Sequence, residues 1–401
     1  MKRHLIGIGG VGMSALATAL VRLGDEVTGA DRTLGTPNVR FLESIGVKVF
    51  PDDGSGIDAA TDEVIVSTAI EETNAGLARA KELGIPVTHR AKALARTLGG
   101  YRLVAVVGTC GKSTVTAMLG HVLAECGLDP MCVNGANVPG WEGAVRFGRG
   151  EFAVAEVDES DKSLVAFSPY AAVVTNASAD HYSKEEMDEV FDAFVKGCTG
   201  PVIDGRKLGE AEIGAWVTPL PGRHNLQNAM LAAKMAVALG CDPAAVKKAL
   251  ATFGGVERRL QRVGARVYDD YAHNPEKIKA MWTTLAEAHP GGLCVIWRPH
   301  GYGPLRKLLG PLATMFNEVI RPQDRLLLLP VYDAGGTACR SLNSGTLAEK
   351  LRPGSVVLVK DHAAAYEWCV VHGGEFEVAV TCGARDPGLP GLARQLAEIF
   401  S

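Results

Sequence analysis

Long apolar runs, a basic surplus and paired cysteines are what this sequence lacks. No apolar stretch reaches the roughly 20 residues that a membrane-spanning helix needs. The formal net charge is −4, which gives no sequence-independent grip on nucleic acid, a task that needs a basic surface. Nine cysteines are an odd number, scattered with no C-x-x-C pair and no Cys/His cluster. They argue against a disulfide framework or a structural zinc and for reduced thiols in the cytosol. The start, Met1-Lys-Arg followed by Leu5 to Leu20, has the outline of a secretory signal with an Ala-Leu-Ala site. Its apolar run is interrupted by glycines where a nucleotide-binding turn needs them, so the chain is expected to be cytoplasmic and unprocessed.

What is present points to a large α/β protein. A chain of 401 residues, 47% apolar and 21% charged, supports two to three domains with sizeable cores. The 47 glycines suit many strand-to-helix turns.

The stretch from Val104 to Met118 organises the rest. An apolar, β-rich run to Val107 stops at Gly108, and a helix-compatible run opens at Lys112. Between them Gly108-Thr109-Cys110-Gly111 can turn its backbone N–H groups toward a polyphosphate. The helix N-terminus adds partial positive charge, Lys112 a full one, and the Ser113 hydroxyl, followed by Thr114, can reach Mg²⁺. The spacing is shorter than in the common P-loop, but strand, glycine turn, Lys-Ser/Thr and helix come in the right order. The alternative is a strand-to-helix turn with an incidental lysine. Cys110, at a helix N-terminus, is either a small residue that fits the turn or a thiol of lowered pKa.

A Rossmann-like unit precedes it. Residues 4–8 read as a strand, Gly7-Ile-Gly9-Gly10-Val11-Gly12 opens a helix, and a second strand ends at Asp31. Alone, this suggests a nicotinamide-dinucleotide site, or a turn that only packs helix on strand. A hinge is expected at Leu98–Gly100. Beyond the phosphate loop, a strand 152–156 delivers Glu156, Asp158, Glu159 and Asp161, and a strand 171–175 delivers Asn176, Asp180 and His181. Ligands of open α/β sheets gather at carboxyl ends of strands, which groups the loop, Glu156 and His181. Oxygen donors such as Ser113 and Glu156 suit Mg²⁺; His181 is a less typical ligand. Pro221–Asn225 is expected to cap a helix 226–239, and Asp242 the next one. The last third alternates again, with Asp269-Asp-Tyr271-Ala-His273, Arg298-Pro-His300 and Tyr332-Asp333 after strands. The expected domains are 1–99, Rossmann-like; 100–260, P-loop ATPase-like; and 261–401, Rossmann-like.

Together, Gly7–Ser14, Ser67-Thr-Ala-Ile70, Gly84–Arg90, Gly108–Ser113, Glu156–Asp161, Thr175–His181, Pro221–Asn225 and Asp269–His273 resemble, in order, the motifs of the Mur ligases. The resemblance implies that ATP phosphorylates a carboxylate and an amine displaces the phosphate to leave an amide. Its cofactors are ATP and Mg²⁺, and its partners are small molecules: a UDP-sugar carboxylate and an amino acid, in the first place UDP-N-acetylmuramate and L-alanine. By family position Lys112 and the loop hold phosphates, Ser113 and Glu156 one metal, and His181 a second. Asn225 and Asn228 would face adenine, Asp269 the ATP ribose, and Arg259 the phosphates. Tyr271, His273, Arg298 and His300 would line the amino-acid side. Gly9, Gly10, Val11, Gly12, Asp31 and Ser67 would hold the UDP-sugar instead of a nicotinamide cofactor.

Three departures stand out. The segment from His181 to Pro221 is short for the family, and Cys110 replaces its usual His or Asn. Where the family shows Arg-Tyr-Ser-Arg, this chain has Gly301-Tyr-Gly-Pro304, with Arg298 and Arg306 as possible substitutes. A ligase using another carboxylate or amine, and a catalytically silent nucleotide-binding homologue, remain alternatives.

Overall fold

Three β-sheets carry the chain among the residues described by the computed structural model, which are 1–158, 163–177, 184–333 and 339–401. The first sheet runs in the order Lys48–Pro51, Glu26–Asp31, Lys2–Ile6, Glu63–Val66, Val87–His89, and every neighbouring pair is parallel. Strand order reverses at Lys2–Ile6, so the turn Gly7–Gly10 and the helix Val11–Arg22 stand at a topological switch point, where crevices form. Buried Leu5 and Ile6 explain the strand, and the run of small residues in the helix lets it lie close on the sheet.

The second sheet follows the order Val202–Asp204, Ala171–Val174, Arg102–Val107, Phe152–Glu156, Met131–Val133, Val145–Arg146. Only the last pair is antiparallel. Val104 to Val107 are fully buried, as a central parallel strand covered on both faces requires. Its neighbours on either side end level with it, Val174 pairing with Val107 and Glu156 with Val106. The loops after all three strands are thereby brought side by side.

These two sheets belong to one compact unit, Met1–Pro219 with His224–Val256. Leu16, Ala19 and Leu20 of the first helix share one buried apolar cluster with Val133, Ala144 and Val145 of the second sheet. At the expected hinge the Tyr101 N–H closes a turn onto the Leu98 carbonyl.

The second unit, Glu257–Ser401 with Leu220–Arg223, is built on the order Gln261–Gly264, Val267–Asp270, Val378–Cys382, Leu293–Trp297, Arg325–Leu328, Val356–Leu358. Trp282, Trp297 and Phe316 fill one face of the sheet, and Cys369, Leu392 and Phe400 the other. The sequence reading missed the antiparallel edge strand Gln261–Gly264 and the helix His362–His372. That helix buries only Ala365 and Cys369, too little to print a periodic apolar face. The helix expected at 226–239 begins at Arg223, so Asn225 lies in its first turn.

Candidate active site

The phosphate loop is held from the neighbouring strand. Thr175 Oγ1 donates to the Cys110 carbonyl at 2.6 Å, and Asn176 Nδ2 donates to it at 3.0 Å. Asn176 Oδ1 accepts from Thr109 Oγ1 at 2.6 Å and from the Cys110 N–H at 3.0 Å. Gly108 and Gly111 have positive φ, 130° and 84°. A Cβ on Gly108 would lie 2.1 Å from Thr175 Oγ1, and one on Gly111 would lie 2.5 Å from Asn228 Oδ1. Glycine is required at both, for backbone conformation and for room. Lys112 opens the helix Lys112–Glu125 and its Nζ donates to the Gly108 carbonyl at 2.6 Å. Thr109, Ser113 and Thr114 are buried at the same turn.

Glu156 ends its strand beside this loop, and its Oε2 accepts the Gly135 N–H at 2.9 Å. A Cβ on Gly135 would stand 2.4 Å from that oxygen, so this glycine makes room for the carboxylate. Next to it, Asn134 is buried and neither polar atom of its side chain finds a partner among the described residues. Such a group is costly without a ligand or water. The sequence reading passed over it because an Asn after a strand reads as a turn residue. His181, Glu159 and Asp161 lie outside the described residues. Among those described, no three His, Cys, Asp or Glu gather into a metal site.

Asn225 and Asn228 are buried and bonded to each other, Nδ2 of Asn228 donating to Oδ1 of Asn225 at 3.3 Å. Asn228 packs on Gly111, which brings this pair to the floor of the phosphate loop.

In the first sheet, Asp31 Oδ2 accepts the Gly9 N–H at 2.8 Å and Oδ1 the Thr33 N–H at 2.9 Å. Asp31 thus closes the glycine turn as well as standing at its mouth. Gly10 caps the helix that Val11 and Gly12 begin. The Arg90 guanidinium lies against Gly12, 3.1 Å from where a Cβ would stand. It offers a cation to the turn that the candidate set omitted, although the stretch Gly84–Arg90 carried the signal. Ser67 follows the strand Glu63–Val66, its carbonyl accepting from the Ile70 N–H. A cleft of about 170 Å³, bordered by Ser14, Thr18, Asn38, Phe41 and Asn137, opens between this helix and the second sheet.

In the second unit Asp269, expected to face a ribose, has a side chain that is 1% exposed. Its Oδ2 accepts from Arg258 Nε at 3.0 Å and its Oδ1 from Thr381 Oγ1 at 2.7 Å. Arg258, at φ 58°, also donates to the carbonyls of Gly383 and Ala384. Burial pushes the Asp269 carboxyl up, and Arg258 pulls it down. The adjacent Asp270 accepts the Leu260 and Ala272 N–H groups, both at 2.7 Å, and burial raises its pKa to about 6. Both aspartates are anchors of the 258–272 chain.

Tyr271, His273 and His300 form a row of edge-to-face rings with centroids 5.5 Å and 4.8 Å apart, and Arg259 lies 5.1 Å over Tyr271. Arg298 is bound to Asp386 at 2.8 Å and to the Pro330 carbonyl. Burial pushes Asp386 up, but hydrogen bonds from His362 and Arg298 hold it well below the usual carboxylate range. Arg306 donates to the Cys339 carbonyl and to Ser341. Arg298 and Arg306 are therefore engaged within their own unit.

Residues 2–102 match the family model "Mur ligase family, catalytic domain", and residues 258–385 match "Mur ligase, glutamate ligase domain". The UDP-N-acetylmuramate–L-alanine ligase of Rubrobacter xylanophilus is 35% identical over 96% of this chain and 97% of its own. The Sinorhizobium fredii enzyme of the same name is 31% identical over 99% and 97%. The first alignment extends over 446 positions against the 401 residues of this chain, so that relative has stretches this chain lacks. Among solved structures, the UDP-N-acetylmuramate-alanine ligase of Thermotoga maritima superposes with a TM-score of 0.81, at 25% identity, over 99% of this chain and 98% of that one. A murein peptide ligase from Psychrobacter arcticus, 19% identical and covering 100% and 98%, shares the fold at 0.69. On its phosphate loop, its three sheets and these full-length likenesses, the chain belongs to the Mur ligase family.

Proposed function

We infer that this Mur ligase joins UDP-N-acetylmuramate to L-alanine, with conversion of ATP to ADP and phosphate. The observation that carries the reading is the loop Gly108–Lys112, latched by Thr175 and Asn176, with Glu156 beside it in a chain that matches alanine-adding ligases from end to end.

A carboxylate and an ammonium do not condense in water, because both are charged and hydroxide is a poor leaving group. Phosphorylation of the carboxylate supplies the leaving group. The loop N–H groups and Lys112 hold the ATP phosphates, and the glycines at 108 and 111 let the backbone approach them. The Glu156 carboxylate and the Ser113 hydroxyl form a hard-oxygen donor set of the kind Mg²⁺ takes together with nucleotide phosphates and water. Magnesium, when bound, neutralises charge on the phosphate oxygens. The glycine turn and Asp31, with Arg90 near by, hold the UDP moiety. Tyr271, His273 and His300 form the amino-acid side. Nine free cysteines and ATP as substrate fit a cytoplasmic enzyme, and no described helix is long and apolar enough to cross a membrane.

ADP release measured with UDP-N-acetylmuramate, L-alanine and ATP tests the reading. It should depend on all three. ADP release with a different amine or acid, but not with this pair, would replace the substrate assignment. Nucleotide binding without turnover across UDP-muramyl acids and amino acids would replace the ligase reading with a regulatory one.

A further inference from the structure

Gly301 has no side chain, and a cation from another strand end lies beside it. The Arg385 Nη1 atom lies 3.9 Å from where a Cβ on Gly301 would stand, an ordinary contact distance, with Pro304 Cδ nearer at 3.4 Å. Arg385 follows the strand Val378–Cys382, is exposed, and meets no carboxylate among the described residues. Its neighbour Asp386 is buried and already bonded to Arg298, His362 and the Gly388 N–H. Its charge acts on His300, which burial first, and then Arg385 and Lys277, hold in its neutral form at physiological pH, with a pKa lowered to about 4. His300 in turn meets the ring of His273, and His273 that of Tyr271. One cluster thus presents two cations and two imidazoles in the segment read as the amino-acid side. The positions where the family resemblance led to arginines, 301 and 304, hold glycine and proline, and Arg298 and Arg306 have partners of their own.

We propose that Arg385, beside Gly301, binds the α-carboxylate of the incoming amino acid. A planar guanidinium can take a carboxylate through two parallel N–H bonds, which fixes the orientation of the amine on the next carbon. The proposal rests on the ligase reading above.

The test measures amino-acid-dependent ADP release by the full chain and by Arg385→Ala, Arg385→Lys and the double variant Arg385→Ala with Gly301→Arg. Each is assayed with the amino acid and with its α-amide. Arg385→Ala should raise KM for the amino acid roughly 10- to 100-fold, the range for losing a charge-assisted hydrogen-bonded pair, with KM for ATP and UDP-sugar within about twofold. The α-amide, which offers no carboxylate to Arg385, should lose no more than about twofold. Arg385→Lys should recover only part, and the double variant should recover more than Arg385→Ala alone. An unchanged amino-acid KM in Arg385→Ala, or an equal loss for acid and amide, would overturn the role of Arg385 while leaving the ligase reading in place. Absence of amino-acid-dependent ADP release from the unaltered chain would overturn both.

Discussion

Asn176 commits both ends of its amide to the phosphate loop. Replacing it with alanine should cost about 1–3 kcal/mol of stability from the unsatisfied loop groups and raise KM for ATP about tenfold, with the UDP-sugar KM unchanged. Steady-state kinetics with each substrate varied would check this; equal losses for both substrates would mean that Asn176 supports the whole unit. Asp269 makes the opposite prediction. Its carboxylate is buried against Arg258 and Thr381, so Asp269→Ala should lose about 3 kcal/mol in denaturant unfolding while the folded protein keeps its KM for ATP. Intact stability with a large rise in that KM would place Asp269 at the ribose instead.

Elements were largely legible where burial imposes a pattern. The strand Phe152–Glu156 and the helix opening at Lys112 sit where apolar runs and glycines put them, and Asp242 caps its helix by accepting the Ala245 N–H at 3.0 Å. Asp242→Ala should therefore cost about 1 kcal/mol, measured by thermal or urea unfolding, with no effect on turnover. What could not be read depends on register between distant strands. Asn176 reaches Cys110 because Val174 pairs with Val107, a register that no local pattern prints. Asp269 and Asp270 looked like site acids because they end a buried strand beside Tyr271 and His273. Which way they turn is decided by Arg258 at its left-handed φ and by the N–H groups of Leu260 and Ala272. The same holds for Arg385, which the fold brings beside Gly301, 84 residues earlier in the chain.

At the scale of the whole molecule, Lys112→Ala should abolish ADP release and leave UDP-sugar binding, followed by calorimetry, within about twofold, because Lys112 bonds its own loop and the glycine turn lies on another sheet. Acid should weaken the fold through buried imidazoles. Burial, with Lys2 near by, lowers the pKa of His4 from 6.5 to about 4, and its Nε2 meets no partner among the described residues. Between those values the unfolded chain takes up a proton that the folded chain refuses, so this contribution is complete above pH 6.5 and is lost as pH falls toward 4. His300 behaves alike, while Asp270, raised to about 6 by burial, acts in the opposite sense between 6 and 3.8. Unfolding in urea at pH 7.5 and 4.5 should show a smaller difference for His4→Gln than for the unaltered chain, by on the order of 2 kcal/mol; equal differences would mean that His4 titrates normally. The apolar cluster shared by the first two sheets has a further consequence. Close-packed interiors do not stretch, so the separation between the glycine turn and the phosphate loop is set by core side chains, and on the function proposed above the first unit would work as a caliper. A UDP-sugar whose acid arm is longer by a few bonds would seat its nucleotide as before and present its carboxylate beyond the reach of the ATP phosphates, so that selection falls on the length of a substrate as much as on its chemistry.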